Sequence, residues 1–207
     1  NRLVTLTGAG GVGKTRLAIE SSKRLLGTFR DGVWWVDLVG SNDPALVPQA
    51  VARVLTVNEI PSQSVAETLV ENIRPKHLLL VLDNCEHLIM ACAQLADQLL
   101  TGCEDLKILA TSREALDVLG EAAWHVPSLS LPDSQNDFSI KTLVESEGIR
   151  LFTERAEAKR TQFGLTYQNA PAVVQICQRL DGIPLAIELA AARVRMMSVD
   201  EIAKRLD

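Results

Sequence analysis

Short apolar runs alternate with longer amphipathic stretches through the first part of the chain. The runs are Leu3-Val4-Thr5-Leu6-Thr7, Val33-Trp34-Trp35-Val36-Asp37-Leu38, Leu78-Leu79-Leu80-Val81-Leu82 and Leu106-Lys107-Ile108-Leu109-Ala110-Thr111. Runs of this length suit strands buried on both faces. Between them apolar residues recur at helical spacing. Leu17, Ala18, Ser21 and Leu25 do so within Arg16 to Leu26, and Leu88, Cys92, Leu95 and Leu99 within Glu86 to Leu100. Asp43 and Pro44 read as the cap and first turn of a helix reaching about Leu55. Ser64 with Glu67 gives a capping-box pattern for a helix to Ile73, stopped by Pro75. Trp124-His125-Val126 begins a last short extended piece.

The pattern changes at Pro132. Pro132-Asp133-Ser134-Gln135-Asn136-Asp137 is polar and turn-rich, as a linker would be. Beyond it only helical patterns recur. Ile149, Phe152 and Ala156 share one face of Glu147 to Lys159. Asn169-Ala170-Pro171 opens a helix to Leu180, and Asp181-Gly182-Ile183-Pro184 is a turn with Gly182 as its left-handed residue. Leu185 to Val194 is apolar almost all round, so burial is expected. Ser198 caps a final helix. The chain thus reads as an α/β domain over 1–131, a linker over 132–140 and a helical domain over 141–207.

One motif joins the first strand to the first helix. Gly8-Ala9-Gly10-Gly11-Val12-Gly13-Lys14-Thr15 fits G-x-x-x-x-G-K-[ST], the phosphate-binding P-loop, in the strand–loop–helix context its mechanism needs. Glycines let the backbone turn at positive φ and approach a ligand closely. Successive N–H groups then face an anion, and the helix start adds its positive dipole end. Lys14 brings a mobile charge to the β- and γ-phosphates, and the Thr15 hydroxyl is placed to ligate Mg²⁺.

Composition narrows the classes. The 207 residues are 47% hydrophobic but only 4% aromatic, with a formal net charge of −5. That balance argues against a nucleic-acid-binding surface on this segment. Cys85, Cys92, Cys103 and Cys177 form no C-x-x-C pair, and His77, His87 and His125 complete no zinc pattern. Reduced thiols in a cytoplasmic protein are expected. Neither a signal peptide nor a membrane-length apolar run stands out. Asn1-Arg2 lead straight into a core strand and Arg205-Leu206-Asp207 fall within a helical pattern, so a piece of a longer protein is expected.

Two further strand ends carry candidate chemistry. Asp83 closes an apolar run, at the carboxyl edge where α/β sheets bind ligands, and is a candidate Mg²⁺ ligand. Thr111-Ser112-Arg113 closes another. A guanidinium there can distinguish triphosphate from diphosphate; the alternative is an arginine paired with Glu114 or Glu121.

Four motifs in this order give a resemblance. The P-loop running into Lys14-Thr15-Arg16-Leu17-Ala18, the stretch Leu80-Val81-Leu82-Asp83-Asn84-Cys85-Glu86-His87, the stretch Ile108-Leu109-Ala110-Thr111-Ser112-Arg113-Glu114, and Asp181-Gly182-Ile183-Pro184-Leu185-Ala186 resemble the NB-ARC-type ATPase of bacterial STAND regulators, the large LuxR-type and SARP-type transcription factors. The resemblance implies a five-stranded parallel sheet of order 5-1-4-3-2, as in AAA+ relatives, followed by a small all-helical domain. It implies ATP or ADP with Mg²⁺ as cofactors. The nucleotide would be held by Gly8, Ala9, Gly10, Gly11, Val12, Gly13, Lys14, Thr15 and Arg16, with Pro184 against the adenine, Thr15 and Asp83 at the metal, and Arg113 as the sensor of the third phosphate. Lys14, Asp83, Glu86 and Arg113 are the candidate catalytic set. The family implies a switch: ADP holds a closed form, ATP favours an open, self-associating one, and slow hydrolysis resets it. A fast AAA+-type turnover enzyme and an ADP-locked scaffold are the alternatives. Many relatives carry an acidic residue where this chain has Asn84, leaving Glu86 as the nearest carboxylate. The family's adenine-gripping segment before the first strand has no counterpart here, so weak affinity is expected.

Overall fold

The computed structural model of the chain describes residues 1–132 and 139–206. Two compact units divide it, Asn1–Gly10 with Lys14–Val126 and Gly11–Gly13 with Pro127–Asp207.

The apolar runs of the first unit form β1 (Leu3–Thr7), β2 (Val33–Asp37), β3 (Leu79–Asp83) and β4 (Lys107–Thr111), joined by β5 (Glu121–His125). All pair in parallel, in the order β2-β3-β4-β1-β5. This is the expected 5-1-4-3-2 order read from the opposite edge. Every residue of β3 is buried. Leu80 and Leu82 join one core cluster with the helices that follow, while Leu79 and Val81 are buried outside it, as strand alternation requires. In register, Leu6 stands beside Thr111 and Asp37 beside Asp83, so the carboxyl ends of β1 to β4 share one rim.

The helices are α1 (Lys14–Leu25), α2 (Val47–Val54), α3 (Val65–Ile73) and α4 (Ile89–Gly102). The Ser64 and Glu67 capping box forms in full. Asp43 caps as expected, accepting the Ala45 N–H at 3.0 Å, but it opens a single 3-10 turn, Pro44–Leu46, before α2. The helix expected from Glu86 also starts later. Asn84 adopts φ +68°, a 3-10 turn spans Cys85–His87, and Leu88 at φ −132° separates that turn from α4. Ahead of β1, Arg2 Nη2 donates to the carbonyls of Leu100, at 2.7 Å, and of Cys103, satisfying acceptors at the end of α4.

The second unit contains α5 (Ile140–Leu143), α6 (Glu147–Lys159), α7 (Ala170–Arg179), α8 (Pro184–Ala192) and α9 (Val199–Lys204). Ile149, Phe152, Val173, Ile176, Cys177, Ile187, Ala191 and Ile202 form its core. Phe152 meets Phe163 edge-on at 6.2 Å. The strap before α5 belongs here. Leu129 N–H donates to Gly182 O, and Ser130 and Glu147 exchange hydrogen bonds between backbone N–H and side-chain oxygen. Most of the polar stretch read as a linker, 133–138, lies outside the described residues. The run Leu185 to Val194 is not buried all round: Leu185 is 53% and Leu189 62% exposed. Its apolar composition hid a two-sided helix, because Ala and Leu on both faces erase the periodic signal. Among the described residues no helix is long and apolar enough to cross a membrane.

Candidate functional site

At the rim, β1 ends in the glycine loop and α1 begins on Lys14. Gly8, Gly11 and Gly13 have φ of 139°, 81° and 101°, conformations that side chains strain to adopt. Lys14 is only 8% exposed. Its Nζ donates to the carbonyls of Gly8 at 2.9 Å and Ala9 at 3.1 Å. Burial pushes its pKa below the ordinary lysine value; Glu86 and Asp83 act in the opposite sense, and Arg113 reinforces the fall.

Asp83, 5% exposed at the end of β3, is the anchor of the site. Its Oδ1 accepts from the Thr15 hydroxyl at 2.9 Å and from the Thr111 hydroxyl at 2.5 Å. The Thr111 oxygen in turn accepts the Asn84 N–H at 2.9 Å. Three segments thereby converge on one carboxylate: the P-loop helix, β3 and β4. Sequence reasoning named Thr15 and Asp83 but gave Thr111 no role. The available signal was a hydroxyl residue at a strand end beside the candidate Arg113.

Arg113 and Glu86 meet on the same rim. Arg113 Nε lies 3.4 Å from Glu86 Oε1, with the Glu86 side chain 19% exposed. Of the alternative partners Glu114 and Glu121, the latter is used otherwise: it accepts the N–H groups of Leu116 and Asp117. Arg113 also reaches the P-loop, its Nη2 4.0 Å from where a Cβ on Gly10 would stand. Asn84, left-handed at the strand end, contacts His87 Nδ1 at 3.3 Å. His87 Nε2 lies 2.6 Å from Ser41 O. A carbonyl only accepts, so Nε2 carries the proton and Nδ1 accepts from the Asn84 amide. His87 thus ties the loop after β3 to the loop after β2.

The first unit brings together Gly8, Ala9, Gly10, Lys14, Thr15, Asp83, Glu86 and Arg113. Arg16 is exposed on α1, Val12 is buried, and Pro184 is the first residue of α8 in the second unit. Among the described residues no cluster of three His, Cys, Asp or Glu side chains could hold a metal by itself. A Thr hydroxyl and one carboxylate 2.9 Å apart would instead fit a hard cation that shares its ligands with phosphate oxygens. Glycines at positive φ, a buried lysine on the loop and an arginine at its rim likewise fit a polyphosphate.

The chain is similar to known proteins over most of its length. The family model described as NB-ARC domain matches residues 1–125. A Mycobacterium tuberculosis protein provisionally named an HTH-type transcriptional regulator is 47% identical over 207 residues, covering 100% of this chain and 22% of that protein. The regulatory protein AfsR of Streptomyces griseus is 30% identical over 212 residues, covering 97% of this chain and 19% of that protein. The chain therefore spans about a fifth of the length of these relatives. Among solved structures, Cdc6p from Pyrobaculum aerophilum is similar with a TM-score of 0.58 at 14% identity, over 98% of this chain and 56% of that one. This last likeness bears on the fold, which is that of the P-loop AAA+ proteins.

Proposed function

From the premise that the chain belongs to the NB-ARC domain family, we propose that it is an ATP- and ADP-binding switch domain with slow hydrolysis, working within a longer cytoplasmic regulator. The observation that carries the reading is the convergence of the Thr15 and Thr111 hydroxyls on Asp83 Oδ1 beside the loop-bound Lys14. The backbone of Gly8 to Thr15 holds the phosphates, with Arg16 flanking them. Lys14 turns from its carbonyl partners to the phosphate charge. Thr15 and Asp83 hold Mg²⁺, which when bound offsets phosphate charge. Arg113 reads the third phosphate. Pro184 is assigned to the adenine by the family resemblance.

A switch needs a difference in affinity between states, not tight binding. Moving an equilibrium from 1:99 to 99:1 takes about 5.5 kcal/mol of preference. Contacts made only with a third phosphate, by Lys14 and Arg113, are the candidates for supplying it. Hydrolysis is secondary, because Asn84 cannot take a proton and the nearest carboxylate, Glu86, is paired with Arg113. The regulator names of the relatives suggest a transcriptional output in flanking sequence, with self-association in the ATP state of the whole protein and no direct nucleic-acid contact by this segment.

The test has two parts. Purified protein is denatured and the released nucleotide identified; ADP supports the switch. Steady-state ATP turnover is then measured with and without Lys14→Ala. Lysine-dependent turnover well below one per second is expected. Turnover near one per second or faster would be ordinary enzyme speed and would sink the switch in favour of a motor-type ATPase. Bound ADP with no turnover under any condition would favour an ADP-locked scaffold.

A further inference from the structure

Glu86 pairs with one cation of the candidate site and acts electrostatically on a second. Its Oε1 is 3.4 Å from Arg113 Nε, and its side chain is 19% exposed against 69% for Arg113. It is also the neighbouring charge acting most strongly on Lys14, ahead of Arg113 and Asp83. Arg113 in turn reaches to within 4.0 Å of the Cβ position of Gly10 on the loop. The carboxylate therefore already supplies, from within the protein, negative charge to the two side chains assigned to a third phosphate. Such a group is badly placed to activate water, since it faces cations. It is well placed to compete with an anion.

We infer that Glu86 is a specificity-determining residue that biases the site toward a nucleoside diphosphate over the triphosphate by holding Arg113 and opposing added negative charge beside Lys14. This rests on the nucleotide-binding reading above. A diphosphate leaves the Glu86–Arg113 pair intact. A triphosphate must draw Arg113 away from Glu86 and accept the carboxylate as a like-charged neighbour. Partly exposed ion pairs are worth modest energies, so the bias is expected to be about fivefold and to shrink as salt rises.

The experiment is calorimetric titration of the 207-residue chain with Mg·ADP and with a non-hydrolysable Mg·ATP analogue. The variants are Glu86→Gln, Arg113→Ala and the double substitution. Glu86→Gln is expected to raise the triphosphate-to-diphosphate affinity ratio about fivefold, with ADP affinity nearly unchanged. That unchanged ADP affinity also reports an intact site. In the Arg113→Ala background the gain falls to about twofold, because only the effect through Lys14 remains. Glu86→Ala gives an independent version should the glutamine variant fold poorly. An unchanged ratio in both variants overturns the inference, all the more so if turnover drops a hundredfold, which would mark Glu86 as the base. Absence of binding by the unmodified chain overturns the nucleotide reading itself and the inference with it. Binding with an unchanged ratio overturns the inference alone.

Discussion

The Thr111 hydroxyl donates to Asp83 Oδ1 at 2.5 Å while accepting the Asn84 N–H at 2.9 Å. One side chain at the end of β4 thus fixes both the carboxylate and the backbone turn that follows it on β3. Thr111 is 1% exposed, and losing its hydroxyl would leave the part-buried Asn84 N–H without its acceptor and the buried Asp83 Oδ1 without one of its donors. Thr111→Val is expected to destabilise the first unit by about 1–3 kcal/mol. It should also weaken Mg²⁺-dependent nucleotide binding, because Asp83 loses a restraint. Thr111→Ser should retain both properties. Urea unfolding with an unchanged m-value, alongside nucleotide titration, checks this. A Val variant as stable as the parent would remove Thr111 from the account.

What the sequence made legible follows physical lines. The Leu78 to Leu82 run had to be a central strand, because only burial on both faces tolerates unbroken apolar side chains. The P-loop was legible because its glycines, lysine and threonine are contiguous. The Thr111–Asp83 bond was not, since it depends on the register of β3 against β4, which no local pattern encodes. β5 was caught only from Trp124 onward. It is an edge strand whose Ala123 and Trp124 are exposed, so Glu121-Ala122-Ala123 carries neither an apolar run nor alternation. Asn84 in the left-handed region delayed α4, although the spacing of Leu88, Cys92, Leu95 and Leu99 correctly marked its buried face. The Arg113–Glu86 pair joins residues far apart in sequence, and the charge pattern pointed to nearer glutamates.

Gly182 gives a prediction confined to the second unit. Its φ is +66°, and an added Cβ would run into the Leu129 carbonyl. Gly182→Ala is expected to cost about 1–3 kcal/mol from the clash, with roughly 1 kcal/mol more from the left-handed backbone. Gly27 is the control: nothing lies within 4 Å of its Cβ position. Gly27→Ala should stay within about 0.5 kcal/mol of the parent. Chemical denaturation followed by circular dichroism reads both. Equal stabilities would refute the crowding argument.

The four cysteines are unpaired and buried. Burial pushes the Cys177 thiol up to about 12 from an ordinary 9.0, and raises Cys103 as well. A thiol raised in the folded state keeps its proton after the unfolded chain has lost it. Stability is therefore undiminished below pH 9.0 and falls as pH rises from there toward about 12. Denaturation midpoints measured across that window should decline, and the decline should lessen in Cys177→Ala. At pH 8 a chromogenic disulfide reagent should label the native chain slowly and the denatured chain at once. Rapid release of a thiol from native protein would contradict the buried assignment.

Asn84 offers the sharpest test of why hydrolysis should be slow. It sits at φ +68°, a conformation Asn and Asp both tolerate, so Asn84→Asp is expected to fold normally. Its N–H would still reach Thr111 Oγ1, because that bond is made by the backbone. The changed atom is the amide nitrogen, which contacts His87 Nδ1 at 3.3 Å. A carboxylate there accepts rather than donates, so the contact with the unprotonated His87 Nδ1 is lost. A general base is worth roughly 10²–10⁴ in rate. If the slow turnover proposed for this chain reflects the missing base, Asn84→Asp should raise kcat at least tenfold. If kcat is unchanged while nucleotide affinity and the unfolding midpoint match the parent, a base at this position is not what limits turnover. The restraint would then lie elsewhere, with the Glu86–Arg113 pair the next to examine.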